Sequence, residues 1–329
     1  MHMTAKSIRT NRPALRNREL VVGVDGGGTK TRAVIIDSAE VVLGEGVAGP
    51  SNPLRVGIAT AAAAVRDAVD RACGAGAIQR DEIGAMGIGL AGVRRKDLRA
   101  RMREVLIATL GIKQIELVSD GDIALSGATN GQPGVVVIAG TGSICCGVNV
   151  RGKRVCAGGW GPVVGDEGGG SWIARRALRA VAHESDERGP ETSLTAAACD
   201  YFHVAAADDL STAIYAPTIT NERIAGFGKQ VIEAARSGDP VAREIIKEAG
   251  KELGRSAIAV IRKLQMENER FQVGYVGGVF AAGELVLSPL REEIARIAKK
   301  AFIAPPASPP AIAAARMARE LLAALPLAV

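Results

Sequence analysis

The chain has 329 residues, enough for two domains of about 150 residues each. It is 47% hydrophobic and 23% charged with 40 glycines, which is typical of a soluble α/β protein and excludes a disordered or fibrous chain; no apolar run is long enough to predict a membrane span. The net charge is +6, but five basic residues lie within 1–18, so the remainder carries about +1 and does not predict nucleic-acid binding.

The basic segment over 1–18 contains Lys6, Arg9, Arg12, Arg16 and Arg18 and lacks the apolar core of a secretory signal. We predict a disordered N-terminal extension here, although an Arg-rich, acid-poor start is also typical of organelle transit peptides.

The five cysteines are odd in number and contain no CxxC spacing. This pattern favours reduced thiols in a cytoplasmic protein. The cysteines concerned are Cys73, Cys145, Cys146, Cys156 and Cys199.

The stretch from Val21 to Ile36 predicts a β-hairpin, because two short runs rich in Val and Ile flank a glycine turn. Glycines leave backbone N–H groups open to a phosphate oxygen, and an aspartate at a strand end suits a hydrated Mg²⁺. A plain turn that needs positive φ is the simpler alternative. We favour phosphate binding at Gly26, Gly27, Gly28, Thr29 and Lys30, with Asp25 holding Mg²⁺ through water.

The next hundred residues alternate between helical and strand patterns. Residues 37–53 are rich in Gly and Pro, and no strand or helix is predicted there. Val65 and Val69 share one face of a helix over 59–73. A strand over 83–90, a helix over 95–110 and a strand over 114–118 complete an α/β domain, assigned to 19–118.

The pattern then starts again in a second predicted domain, 119–310. Residues 119–122 and a short helix lead to an apolar strand over 134–139, a Gly-Thr-Gly-Ser turn, and strands over 144–150 and 153–157. The opening motif therefore has a degenerate second copy, with a second predicted phosphate turn at Gly140, Thr141 and Gly142.

Residues 157–172 form a Gly-rich segment that contains both tryptophans, Trp160 and Trp172, and precedes a helix over 171–183. Asp166 and Glu167 suit an N-cap, but the length and the tryptophans favour recognition of a sugar or a base. Helices are predicted over 192–264, and a strand ends at a Gly277–Gly278 turn. A proline-rich break at 305–310 precedes a closing helix over 311–324.

Together these blocks resemble the sugar kinase, Hsp70 and actin superfamily, and within it the BadF/BadG/BcrA/BcrD-type ATPases. The resemblance covers residues 20–325 and depends on five motifs in the family's order: 25–29, 119–121, 140–143, 250–254 and 277–279. It implies an α/β fold of two ribonuclease H-like (actin-like ATPase) domains that face each other across a nucleotide and sugar cleft. The C-terminal helix, 311–329, is expected to pack back on the first domain.

The resemblance also implies an activity, namely transfer of the γ-phosphoryl group of Mg·ATP to the 6-hydroxyl of an amino sugar. N-acetylglucosamine is the favoured sugar, and glucosamine, N-acetylmuramate and glucose remain open. Asp120 is implied as the catalytic base, although it is also placed to cap the helix over 121–130. The implied sugar contacts are Asn52, Asp120, Ser143, Gly159, Trp160, Gly161 and Asp166, and the implied nucleotide contacts include Thr29, Thr141, Gly277 and Gly278.

Two further functions stay open. Some relatives activate acyl-CoA reductases or dehydratases through a shared iron–sulfur cluster, but Cys145 and Cys146 are adjacent on a strand and point to opposite faces, which favours core packing. A non-catalytic sugar or nucleotide sensor would usually carry a DNA-binding module, for which 1–18 is too short. A homodimer is expected from base rates.

Two local features complete the sequence interpretation. Residues 87–92 read GxGxxG after a strand, but no helix begins at once, so NAD binding is not predicted. No GxxxxGK[ST] P-loop is present. Ala313 replaces the glycine of the family's Pro-Ala-Leu-Gly-Ala element, which questions how closely the last helix approaches its neighbours.

Overall fold

The computed structural model describes residues 20–324, so the predicted extension over 1–18 lies outside the described residues. The chain forms two compact units, one of residues 20–117 with 314–324 and one of Val118–Ala313. Each unit is built on one five-stranded sheet. Between residues 20 and 324, no helix has the length and apolar character needed to cross a membrane.

The first unit confirms the hairpin predicted at Val21–Ile36. Its sheet has the order β3-β2-β1-β4-β5, in which β1, β2 and β3 are antiparallel neighbours and β1 and β4 are parallel. The strands are β1 (Leu20–Gly26), β2 (Thr31–Ile36), β3 (Val42–Ala48), β4 (Ile83–Leu90) and β5 (Ile115–Ser119), and the helices are α1 (Pro53–Val56), α2 (Ile58–Gly76) and α3 (Lys96–Leu110).

Strand β3 lies within residues 37–53, where the sequence pattern predicted no strand. A Cβ built on Gly44 would lie 2.2 Å from the Ala72 carbonyl oxygen, and one built on Gly46 would lie 2.0 Å from the Ala68 carbonyl oxygen. Helix α2 therefore packs directly on the backbone of β3. The glycines that resembled turn residues are strand residues that leave room for a helix.

The second unit repeats the topology of the first. Its sheet has the order β10-β9-β6-β7-β8, with antiparallel β6, β7 and β8 and parallel β6, β9 and β10. Its helices are α4 (Asp120–Thr129), α5 (Gly170–Ser185), α6 (Leu194–Phe202), α7 (Leu210–Ile214), α8 (Asn221–Gly226), α9 (Gly228–Arg236), α10 (Pro240–Leu264) and α11 (Glu284–Ala295), and its strands are β6 (Gly134–Ala139), β7 (Ser143–Val148), β8 (Arg154–Gly158), β9 (Gln272–Val276) and β10 (Phe302–Ala304).

The closing helix α12 (Pro310–Ala323) explains both local features of the sequence. A Cβ built on Gly87 would lie 1.9 Å from the Ala314 carbonyl oxygen, so this glycine of the GxGxxG pattern serves helix packing. Ala313 is buried, and its methyl group would lie 3.3 Å from a Cβ built on Gly127 of α4. The glycine at this helix contact is therefore Gly127 on α4, and α12 approaches α4 closely even though residue 313 is alanine.

The predicted reduced state of all five cysteines is wrong for one pair. Cys146 and Cys156 face each other in the antiparallel register of β7 and β8 and form a disulfide, while Cys73, Cys145 and Cys199 are free. The pairing arises from the hairpin register across ten residues, which CxxC spacing does not detect.

Thiol titration of the denatured, unreduced protein is expected to detect three thiols, because Cys146 and Cys156 are bonded to each other. Reduction should raise the count to that of the five cysteines in the sequence. Cys156→Ser should raise the unreduced count by one thiol, whereas Cys199→Ser should lower it by one. A full complement of thiols before reduction would contradict the pairing.

Candidate active site

The glycine turn after β1 is held from three directions. The Gly27 N–H donates to the Lys30 carbonyl (2.9 Å), the Ser51 N–H to the Gly27 carbonyl (3.1 Å), and the Ala91 N–H to the Gly26 carbonyl (2.8 Å). A Cβ built on Gly26 would lie 2.2 Å from the Ser51 hydroxyl. The turn is thus a preformed loop of backbone.

Side chains of the first turn differ in exposure. Asp25 is half-buried at the end of β1, while Thr29 and Lys30 are exposed. The buried Thr31 hydroxyl donates to Gly49 O (2.7 Å) and shares a second hydrogen bond with the Ser51 hydroxyl (2.8 Å), which connects the turn to the segment after β3. These contacts place Asp25, the glycines and Ser51 in one cluster within the first unit.

Asn52 lies next to this cluster and caps α1. Its Oδ1 accepts from the Leu54 N–H at 3.0 Å, and the same oxygen would lie 2.3 Å from a Cβ built on Gly92. The cap therefore uses the carboxamide oxygen of Asn52.

The second glycine turn follows β6 and packs against the first turn of α5. The Gly140 N–H donates to the Gly142 carbonyl (2.9 Å), while the Gly170 and Ser171 N–H groups donate to Gly140 O (2.8 Å) and Thr141 O (2.9 Å). The N-terminus of α5, where the helix dipole favours anions, is therefore directed at this turn. A Cβ built on Gly140 would meet nothing within 4 Å, so one side of the turn is open.

Asp166 packs its buried carboxylate on the second turn. It accepts the Gly161 N–H at 3.2 Å, and Oδ2 would lie 2.2 Å from a Cβ built on Gly142. Burial raises the pKa of the Asp166 carboxyl group, which the N–H groups of Gly161 and Ser143 partly oppose.

The backbone of Asp166 is strained, with φ of +60°, a left-handed conformation that costs about 1–3 kcal/mol. Gly169 is the N-cap of α5, so the alternative in which Asp166 and Glu167 cap that helix does not hold. The carboxylate of Asp166 is directed instead at the turn.

Ser143 and the loop after β8 extend the same cluster. The buried Ser143 hydroxyl donates to the Glu167 carbonyl at 2.7 Å, and the Ser143 carbonyl accepts the Gly159 N–H at 2.9 Å. Trp160 lies between Gly159 and Gly161, and 76% of its surface is exposed. Val163 and Val164 are also exposed, at 91% and 71%. The loop thus presents an apolar surface, while its glycines are hydrogen-bonded to Ser143 and Asp166.

Asp120 occupies the first position of α4 and is not its cap, so the alternative role weighed for this residue does not hold. Ser119 is the N-cap, and it forms a reciprocal capping box with Asp122. Asp120 Oδ1 accepts the Gly121 N–H at 2.9 Å, and the side chain is half-buried. The helix therefore does not need Asp120 as its cap. The Ser-x-x-Asp spacing of 119–122 is the signal that identifies the true cap.

The Gly277–Gly278 turn lies beside the second glycine turn, because β9 is parallel to β6. Gly277 has φ of +122°, and a Cβ built on it would lie 2.2 Å from the Ala139 carbonyl oxygen. A Cβ built on Gly278 would meet nothing within 4 Å. The structure thus brings together the predicted nucleotide residues of the second unit.

Within residues 20–324, no three His, Cys, Asp or Glu side chains are grouped to hold a metal ion. Asp25 is a single carboxylate at the first turn, the chemistry that Mg²⁺ uses when it keeps most of its waters.

Comparison with known proteins gives a consistent result. Residues 22–318 match the BadF/BadG/BcrA/BcrD ATPase family. The chain is 34% identical over 259 residues to the N-acetylmuramic acid/N-acetylglucosamine kinase of Clostridium acetobutylicum, covering 79% of this chain and 85% of the relative. It is 32% identical over 273 residues to the N-acetyl-D-glucosamine kinase of Dictyostelium discoideum, covering 80% and 86%.

A crystal structure from Chromobacterium violaceum, provisionally designated an N-acetylglucosamine kinase, superimposes with a TM-score of 0.76. The two proteins are 28% identical, and the match covers 92% of this chain and 99% of the other. Together with the two five-stranded sheets, this likeness confirms the predicted α/β fold class of actin-like ATPase domains.

Proposed function

The chain belongs to the BadF/BadG/BcrA/BcrD ATPase family, and from this premise we propose that it is an ATP-dependent kinase of amino sugars. The observation that carries the proposal is the duplicated glycine turn, since each sheet ends its first strand in a preformed loop of backbone. Two kinases that act on N-acetylated amino sugars, at 34% and 32% identity, supply the substrate class.

Within the proposal, ATP is bound by backbone rather than by a P-loop. In the second unit the nucleotide contacts are Gly140, Thr141, Gly142, Gly277 and Gly278. Open space beside Gly140 and Gly278 supports this assignment, because a Cβ there would meet no protein atom. In the first unit, the turn from Gly26 to Lys30 offers N–H groups and one ammonium to a phosphate.

Asp25 is the proposed carboxylate for Mg²⁺, through water. The ion, when bound, offsets the negative charge of the phosphates, and most of the catalysis in phosphoryl transfer is positioning and charge stabilisation. Half-burial of Asp25 at the strand end supports this role, because the strand fixes the position of the carboxylate.

Asp120 is the proposed base. Its carboxylate accepts the proton of the sugar 6-hydroxyl as the O6–P bond forms and the bond from phosphorus to the ADP oxygen breaks. The proposed sugar contacts are Asn52, Ser143, Gly159, Trp160, Gly161 and Asp166. The exposed indole of Trp160 supports a stacking role, since a sugar ring packs on an aromatic face.

The cysteines argue against the iron–sulfur activator. The Cys145 thiol is fully buried, and burial raises its pKa, whereas a cluster ligand must be a thiolate. Cys146 is bonded to Cys156. These placements support packing and cross-linking roles.

A coupled ADP-release assay with Mg·ATP and a panel of N-acetylglucosamine, glucosamine, N-acetylmuramate and glucose tests the proposal. Turnover with at least one amino sugar and formation of its 6-phosphate is the expected result. Sugar-independent ATP hydrolysis alone would contradict it. Tryptophan fluorescence tests the proposed contact between Trp160 and the sugar. Addition of sugar should change the fluorescence of the wild-type protein. Trp160→Phe should abolish this change, whereas Trp172→Phe should retain it.

A further inference from the structure

An ion pair connects the first turn of α4 to β8. Arg154 Nη1 donates to Asp122 Oδ1 at 2.9 Å. The other oxygen of Asp122 accepts from the Ser119 N–H at 3.1 Å and from the Ser119 hydroxyl at 2.7 Å. Asp122 therefore bridges the cap of α4 and the neighbouring hairpin, and Asp120 lies between the two residues of the capping box.

The hairpin that carries Arg154 is a firm support. Arg154 pairs with Val148 in the register of β7 and β8, and two residues further Cys156 is bonded to Cys146. The Cys146 sulfur would lie 3.0 Å from a Cβ built on Gly121. The helix turn next to Asp120 thus contacts the hairpin at two points, one ionic and one through sulfur.

Charge gives the ion pair a second effect. Asp122 is a carboxylate two positions from Asp120, and like charges repel. Arg154 pairs with Oδ1 of Asp122 while Oδ2 stays on Ser119, so the positive charge of the guanidinium lies beside this carboxylate and offsets its repulsion of Asp120. The two side chains are 58% and 24% exposed, so the pair adds little to global stability.

We propose that Arg154 and Asp122 are a positioning pair that holds the Asp120 carboxylate at the reacting hydroxyl. The proposal rests on the function proposed above. Neither residue contacts the substrate, and both act through the first turn of α4. Displacement of a catalytic group by about 1 Å can cost roughly a hundredfold in rate, so loss of the pair has a large kinetic effect at a small cost in stability.

The decisive variant is Arg154→Met, which keeps the length of the side chain and removes its charge. We expect kcat to fall about tenfold to a hundredfold, with the KM values for ATP and sugar within about twofold of wild type. The melting temperature should change by only about 2 °C. Arg154→Lys should restore part of kcat. Arg151→Met, on the same hairpin, removes the same charge from an exposed residue and should leave kcat unchanged.

A double-mutant cycle separates the pair from two independent effects. Arg154→Met combined with Asp122→Asn should lower kcat no further than the more severe single change, because both remove one interaction. Additive losses, an equal loss in Arg151→Met, or a kcat near wild type in Arg154→Met would each overturn the proposal.

Hydrogen exchange distinguishes this proposal from the proposed function. Amides over 119–123 should exchange faster in Arg154→Met than in wild type, and at the wild-type rate in Arg151→Met. If the wild-type protein releases no ADP with any sugar, the proposed function fails, and unchanged exchange in Arg154→Met would then overturn the positioning pair by itself.

Discussion

Asp120→Asn is expected to lower sugar-dependent turnover by about 10²–10⁴-fold, the contribution typical of a general base. The amide keeps the shape of the carboxylate but does not take up the proton of the 6-hydroxyl. The cap of α4 should survive, because Ser119 and Asp122 form it without Asp120. The loss should therefore appear in kcat, measured by ADP release at saturating ATP and sugar.

Two measurements show whether that loss is chemical. Calorimetric titration should give ATP and sugar affinities within about threefold of wild type, since removal of a base acts on the transition state. The melting temperature should be unchanged. Turnover near wild type in Asp120→Asn would contradict the assignment of the base, and a large fall in melting temperature would indicate a structural role instead.

Local sequence signals predicted those strands that consist of an apolar run bounded by residues that break regular structure. The strands over Ile83–Leu90 and Gly134–Ala139 have the predicted bounds, because runs of apolar residues end at breakers there. Strand β3 escaped prediction since Gly44 and Gly46 serve a helix that lies more than twenty residues further along the chain. Sequence shows a glycine but not the atom that excludes its side chain.

The candidate site follows the same division. The two glycine turns were predictable from composition and spacing, and the family resemblance singled out Asp120 and Asp166. The contact of Asp166 with Gly142 was not predictable, because it depends on the return of a loop across twenty-four residues. The spacing of Ser119 and Asp122 indicates a capping box, but the sequence analysis considered only Asp120 as a possible cap.

Gly277→Ala is expected to have the largest effect on stability among the glycine substitutions at the proposed nucleotide site. The new Cβ would lie 2.2 Å from the Ala139 oxygen and 2.5 Å from the Ala139 carbonyl carbon, both backbone atoms of β6. The φ of +122° adds strain for any residue with a side chain. Strain and overpacking each cost about 1–3 kcal/mol, so the free energy of unfolding should fall by about 2–6 kcal/mol.

Gly278→Ala is the matched control, one residue away. Its Cβ would meet no protein atom within 4 Å, and its φ lies outside the left-handed region, so urea unfolding should give a free energy within about 0.5 kcal/mol of wild type.

If the nucleotide occupies that open space, the methyl group of Gly278→Ala should weaken ATP binding by at least about tenfold in calorimetry, while sugar binding is retained. Unchanged ATP affinity in Gly278→Ala would remove the nucleotide from this turn, and wild-type stability in Gly277→Ala would contradict the close contact between the two neighbouring strands. The pair of variants thus separates a glycine kept for packing from a glycine kept for a ligand, a distinction that the adjacent letters of the sequence do not contain.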